Sequence, residues 1–167
     1  EEVRASNYEA PRSVEDAVAL LAGSPGRARV FAGGTDLLVA LQTGRADAEL
    51  LVDLKRIERM TRIEREGKSF RIGAAVWAGG VAEGSERARA WPGVVEAAEL
   101  IGSTQIQGRA SLGGNLCNAS PAADSVPAMI AAEAVCTIAG PDGRREAPGI
   151  EVATGLGQTS PLSLIHL

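Results

Sequence analysis

Apolar residues recur at three- and four-residue spacing over Val14, Ala17, Val18 and Leu21, the period of a helix with one buried face. Ser13 supplies an N-cap with Asp16 at the capping-box distance, and Gly23 with Ser24-Pro25-Gly26 ends the element. Short apolar runs mark strands at Ala28–Phe31 and Glu49–Leu54, the second apolar enough to be central, and a short edge segment is expected around Tyr8. Alternation over Thr61–Glu66 and Ser69–Ala75, with Gly67-Lys68 between, predicts a hairpin. Ala78–Ala90 reads as a broken helix pair, and Val94–Ile101 as a helix opened by Pro92 and closed by Gly102. Ser125–Ala134 is helical in pattern, with Asp124 or Ser125 as its cap. Val135–Ala139, the turn Gly140-Pro141-Asp142-Gly143 and Arg144–Glu146 form a second hairpin. Helices mixed with hairpins predict an α+β fold, not a regular alternating sheet.

Two stretches break this periodicity. Phe31-Ala32-Gly33-Gly34-Thr35-Asp36-Leu37 follows a strand and precedes a short helix over Asp36–Leu41. Ser111 through Asp124 is nearly uncharged, carries Gly113-Gly114, and holds Asn115, Asn118 and Ser120. It is read as one long glycine-and-hydroxyl loop. Glycines admit positive φ and close backbone approach, and successive N–H groups in such loops make anion-binding nests. Two such loops, converging, suit an anionic ligand such as a diphosphate. The first is not a Walker loop, since no Lys follows Gly34, and it lacks the third glycine of the dinucleotide fingerprint.

Composition narrows the chemistry. Of 167 residues, 45% are hydrophobic but only 3% aromatic, so the core is built from Ala, Val, Leu and Ile. A net charge of −4 with scattered basic residues argues against nucleic acid and against a membrane-surface patch. The charged opening Glu1-Glu2-Val3-Arg4 and the lack of a long apolar run predict a soluble, cytoplasmic chain without membrane insertion. Cys117 and Cys136 are too few and too far apart to ligate a metal or cluster, and read as small buried thiols. The single histidine, His166, makes a His-centred triad improbable.

Ala32-Gly33-Gly34-Thr35-Asp36-Leu37-Leu38 together with Ser111 through Pro127 closely resembles the FAD-binding (medium, flavoprotein) subunit of the molybdenum hydroxylases, the carbon monoxide dehydrogenase and xanthine dehydrogenase family. The similarity runs from about Tyr8 to Thr159. It implies a two-lobed FAD-binding domain of the PCMH (vanillyl-alcohol-oxidase-like) type with the cofactor in the cleft. Residues 1–57 would form an N-terminal lobe and residues 58–167 a second lobe that stops before the family's C-terminal domain. It implies an oxidoreductase subunit passing electrons from iron–sulfur clusters through FAD to NAD or another acceptor. A molybdopterin-containing large subunit and a [2Fe-2S] small subunit would be its partners.

By the same resemblance, backbone from Ala32 through Asp36 (Gly33, Gly34 and Thr35 between them) and from Ser111 through Leu112, Gly113 and Gly114 to Asn115 wraps the pyrophosphate, with Leu37 beginning the helix beyond. Thr35 and Ser111 would add hydroxyls and Asn115 an amide; Thr35 also reads as a local helix cap. Asp124 would meet cofactor hydroxyls or, alternatively, cap the helix after it. Ile101 is either an apolar cofactor contact or plain core. Arg109 is better read as a surface arginine than as a phosphate partner. No catalytic residue and no metal ligand is assigned. Gln107-Gly108 stands where the family usually has Arg-Asn, and Gly155-Leu156-Gly157-Gln158-Thr159 is similar to its Gly-x-Gly-Lys-Thr stretch without the lysine. Leu162 or Leu164 is the candidate remnant of an apolar flavin contact. A stand-alone flavin-dependent oxidoreductase and a non-catalytic nucleotide-binding module are the alternatives.

Overall fold

The computed structural model of the chain describes residues 5–155, 158–159 and 164–166. The N-terminal third runs β1 (Ala5–Glu9), α1 (Val14–Gly23), β2 (Ala28–Phe31), α2 (Leu37–Gln42) and β3 (Ala48–Asp53). The Ser13 hydroxyl accepts from the Asp16 N–H at 3.0 Å to start α1, a cap worth about 1 kcal/mol. The three strands form a parallel sheet in the order β1-β3-β2, so the apolar strand is central and the Tyr8 segment is an edge. Val52 has no exposed surface there.

Two 3-10 turns, Leu54–Arg56 and Glu58–Met60, lead to the hairpin β4 (Ile63–Glu66) and β5 (Ser69–Gly73), whose turn places Gly67 at φ +62°. The helices α3 (Ala78–Ala82) and α4 (Ser85–Ala90) are the expected broken pair, and α5 (Pro92–Leu100) begins at its proline. Gly102 follows α5 at φ +57°, a left-handed position where an L side chain is strained. A short helix α6 (Thr104–Gln107) precedes α7 (Leu112–Asn118), α8 (Ser125–Ala131) and the hairpin β6 (Val135–Gly140) and β7 (Gly143–Pro148). After α9 (Gly149–Val152) come β8 (Ala153–Gly155), β9 (Gln158–Thr159) and β10 (Leu164–His166).

The second sheet is antiparallel in the order β4-β5-β10-β6-β7. β10 therefore lies between the two hairpins and joins them, a long-range pairing that no local pattern announces. One continuous core links the sheets: Leu50 and Val52 pack through Ile57 and Met60 to Ile72, Leu116, Met129 and Cys136. A smaller cluster of Phe31, Leu41, Ala48 and Leu51 fills the other face of the parallel sheet, beneath α2. The mixture of helices and hairpins is the α+β fold expected.

Two expectations are corrected. The Ser111–Asp124 stretch is not one loop, because Leu112–Asn118 forms α7 with Ser111 as its N-cap, accepting from the Gly114 N–H at 3.0 Å. The hydroxyl-capped start and the apolar residues Leu112 and Leu116, both buried, outweigh the helix cost of two glycines, about 1 kcal/mol each. The helix at 125–134 is also shorter, since α8 stops at Ala131 and Glu133 takes φ +54°. Leu156, Gly157 and Leu162 lie outside the described residues, and Leu164 sits within β10 opposite Gly73 and Thr137.

Candidate functional site

The two glycine segments meet because Gly33 leaves no room between them. A Cβ on Gly33 would stand 1.9 Å from the Arg109 carbonyl oxygen and 2.5 Å from its carbon, so only glycine permits this approach. The residues in contact immediately precede Ser111. Arg109, whose side chain is exposed, donates from Nε to the Gly33 carbonyl at 3.4 Å. Across from it, the Trp77 backbone bridges Ser111, and the Ala78 N–H donates to the Ala110 carbonyl at 2.7 Å.

A cavity of about 880 Å³ opens where they meet, within the size range of cofactor sites. Ala32, Gly33, Gly34, Thr35, Asp36 and Leu37 line one side of it, and Ser111, Gly113, Gly114, Asn115 and Asp124 another, with Ile101 between. Leu112 is the exception among the sequence candidates: its side chain is buried in the core, and it does not line the cavity.

The first segment is a true turn. Gly34 adopts φ +77°, and its missing Cβ would meet the Phe31 ring at 2.5 Å. The N–H groups of Gly33, Gly34, Thr35 and Asp36 have no acceptor among the described residues. Successive unpaired amides of this kind form an anion nest. The Thr35 hydroxyl also finds no partner among the described residues and does not cap α2, whose N-cap position belongs to Asp36 without a side-chain bond.

The second segment is more rigid. Gly113 is a packing glycine, since a Cβ there would stand 2.5 Å from the Ala74 carbonyl oxygen. Gly114 meets only Ser111 Oγ, at 3.0 Å. Neither has the positive φ that a loop reading suggests. Asn115 Oδ1 accepts from the Ser125 hydroxyl at 2.6 Å and from the Ser125 N–H at 3.3 Å. That fixes the amide orientation and leaves its Nδ2 donor without a partner among the described residues of this cavity wall. Asp124 occupies the N-cap position of α8, yet its side chain makes no capping bond and is exposed at the cavity. Ile101 is both core and cavity wall.

The structure adds residues the sequence did not single out. Arg29 lines the cavity and donates to the Gly26 and Ala28 carbonyls at 3.0 and 3.1 Å; a charge inside an otherwise apolar strand was the available signal. Beneath the first turn, Asp53 is only 4% exposed. Burial raises its pKa, but hydrogen bonds from Lys55 and Tyr8 outweigh that and hold the carboxyl below its ordinary range. The signal was an acid ending an apolar strand, which must find partners when buried. Cys117 lines the cavity, whereas Cys136 has no exposed surface and burial pushes its thiol up to about 11.

A group that fits this cavity combines an anion for the unpaired amides, hydroxyls for Thr35 and Asp124, and a flat apolar part for Leu37, Leu54 and Ile101. FAD has all three. Among the described residues, no helix is long and apolar enough to cross a membrane.

The sequence matches the family described as the FAD binding domain in molybdopterin dehydrogenase over residues 3–165. The carbon monoxide dehydrogenase medium chain of Hydrogenophaga pseudoflava is 36% identical over 141 residues, covering 84% of this chain and 49% of the relative. The xanthine dehydrogenase FAD-binding subunit of Escherichia coli O157:H7 is 33% identical over 156 residues, 93% of this chain and 53% of the relative. The chain thus spans about half the length of these relatives. A solved structure of the Hydrogenophaga pseudoflava carbon monoxide dehydrogenase superposes with a TM-score of 0.94 at 31% identity, covering all of this chain and 60% of that one. The fold is accordingly the PCMH-type FAD-binding fold, and the chain belongs to the family of FAD-binding domains of the molybdopterin dehydrogenases.

Proposed function

We propose that this chain is the FAD-carrying part of a medium subunit in a molybdenum hydroxylase complex, an oxidoreductase. Its partners are a molybdopterin-containing large subunit and a [2Fe-2S] small subunit. The observation that carries the reading is the row of unpaired amides from Gly33 to Asp36 facing a cavity whose opposite wall is α7. Relatives named as the FAD-binding subunit of a xanthine dehydrogenase and the medium chain of a carbon monoxide dehydrogenase support it.

Bound FAD would supply the redox chemistry, accepting electrons that arrive through iron–sulfur clusters and releasing them to NAD or another acceptor. The chain's own residues bind and orient. Backbone N–H groups of residues 33–36 meet the diphosphate, with the Thr35 and Ser111 hydroxyls and the Asn115 amide as further donors. The neutral amides satisfy a diphosphate without a lysine in the turn. The Asp124 carboxylate would be repelled by phosphate and serves the cofactor's hydroxyls. Ile101 and Leu37 exclude water from the flat apolar part.

We further infer two lobes divided at Ile57 and Glu58, each contributing one glycine segment, and a cytoplasmic complex in which the free thiols of Cys117 and Cys136 stay reduced. The test is the absorbance spectrum of the purified chain followed by identification of the released chromophore. Flavin bands and free FAD on denaturation are expected. A colourless chain that also fails to bind added FAD contradicts the reading, and turnover of an organic substrate by the chain alone would favour an independent flavoenzyme.

A further inference from the structure

We propose that Lys55 is a positioning residue that aims the amides of the first glycine turn, acting through the carbonyl of Ala32; the proposal rests on the reading of the cavity as the FAD site. Lys55 does not line the cavity. Its Nζ lies 2.7 Å from the Ala32 carbonyl oxygen, 2.9 Å from Asp53 Oδ2 and 4.1 Å from the centre of the Phe31 ring. Asp53 is fixed in turn: Oδ1 accepts the Lys55 backbone N–H at 2.8 Å, and Oδ2 accepts the Tyr8 hydroxyl. Tyr8 also meets Phe31 edge-on, with ring centroids 6.5 Å apart. Tyr8, Phe31, Asp53 and Lys55 thus form one wedge against the underside of the turn.

The consequence follows from peptide geometry. No peptide bond among the described residues is cis, and in a planar trans peptide the C=O and N–H point in opposite directions. An ammonium that holds the Ala32 carbonyl therefore directs the Gly33 N–H away from itself. Arg109 holds the next carbonyl, that of Gly33, from Nε. Two cations occupy these carbonyls, and the N–H groups of the same two peptides, those of Gly33 and Gly34, stay unpaired among the described residues. Without Lys55 the Ala32–Gly33 peptide loses its one charged anchor and is free to rotate its carbonyl toward the ligand, where it would repel an anion. A charge-assisted hydrogen bond of this kind fixes a conformation more firmly than a neutral one.

The experiment measures the FAD dissociation constant of the full 167-residue chain by flavin fluorescence, at low and high salt, with melting of the FAD-free protein recorded alongside. Lys55→Met is expected to weaken FAD about tenfold or more, equally at both salt concentrations, and beyond that to lower the melting temperature of the FAD-free protein, because buried Asp53 loses its ion-pair partner. Lys55→Arg, which still donates to the carbonyl, should bind within about threefold of the parent. Undiminished binding by Lys55→Met overturns the proposal. So does a loss that vanishes at high salt, which would assign Lys55 a purely long-range charge effect. If Lys55→Met does not fold, Tyr8→Phe decides, since releasing Asp53 should cost about threefold in affinity and no change would refute the wedge. Failure of the parent itself to bind FAD would instead remove the functional reading beneath it.

Discussion

Gly33-Gly34 and Gly113-Gly114 look alike in sequence and do different work. The first pair makes an irregular turn with unpaired amides, one positive φ and a charged wedge beneath it. The second lies in the first turn of a helix, where Ser111 caps it, Asn115 ties it to Ser125, and apolar core supports it. A glycine pair announces that side chains are excluded, and only the surroundings decide whether a ligand or the protein's own backbone takes the space. At Gly33 and Gly113 the occupant is backbone, Arg109 and Ala74 respectively. Gly114 is the one whose Cβ would meet no more than a hydroxyl.

Substitutions break this comparison at graded strengths. Gly33→Ala places a Cβ 1.9 Å from the Arg109 carbonyl oxygen; separating the two segments should cost about 3 kcal/mol or more in urea unfolding and abolish FAD binding. Gly113→Ala meets the Ala74 carbonyl oxygen at 2.5 Å and the Ala74 side chain at 2.8 Å, with an expected loss of about 2–3 kcal/mol. Gly34→Ala strains φ +77° and sets a Cβ 2.5 Å from the Phe31 ring, for about 2–3 kcal/mol. Gly114→Ala should leave stability within about 0.5 kcal/mol, because better helix propensity offsets the 3.0 Å contact. Its effect belongs on FAD affinity, so a stability loss as large as that of Gly113→Ala would refute the distinction.

pH separates the regions more gently. Asp53, beneath the first turn, has a lowered pKa. Its contribution is present above the ordinary carboxylate range and is lost as pH falls through the folded value. Asp53→Asn should therefore flatten the acid limb of a stability–pH profile. Cys136, beside Cys117 of α7, has a raised pKa of about 11 from burial and then from Cys117. Its contribution is full below the ordinary thiol value and is lost as pH rises through about 11. Cys136→Ala should flatten the alkaline limb and leave the acid limb unchanged.

Much of the fold was legible because its signals are local. The Ser13 cap, Pro92 at a helix start and Gly67 in a hairpin each act within a few residues of themselves. β10 was not legible, since its place between β5 and β6 is set by partners far away in sequence. At the site, the glycine segments were readable, but the helical state of Leu112–Asn118 was hidden by glycine's poor propensity, and with it the burial of the Leu112 side chain in the core. Lys55 escaped notice because it acts from behind the turn, through a carbonyl, and a surface lysine carries no pattern of its own.

The central claim is that the unpaired amides of the first turn and the start of α7 hold one FAD. The measurement that addresses it most directly is an amide ¹⁵N titration of the chain with FAD. Saturable shifts at Gly33, Gly34, Thr35 and Asp36, moving together with Gly114 and Asn115 at one dissociation constant, are the expected result. Shifts confined elsewhere, or the two segments responding at different FAD concentrations, would contradict it.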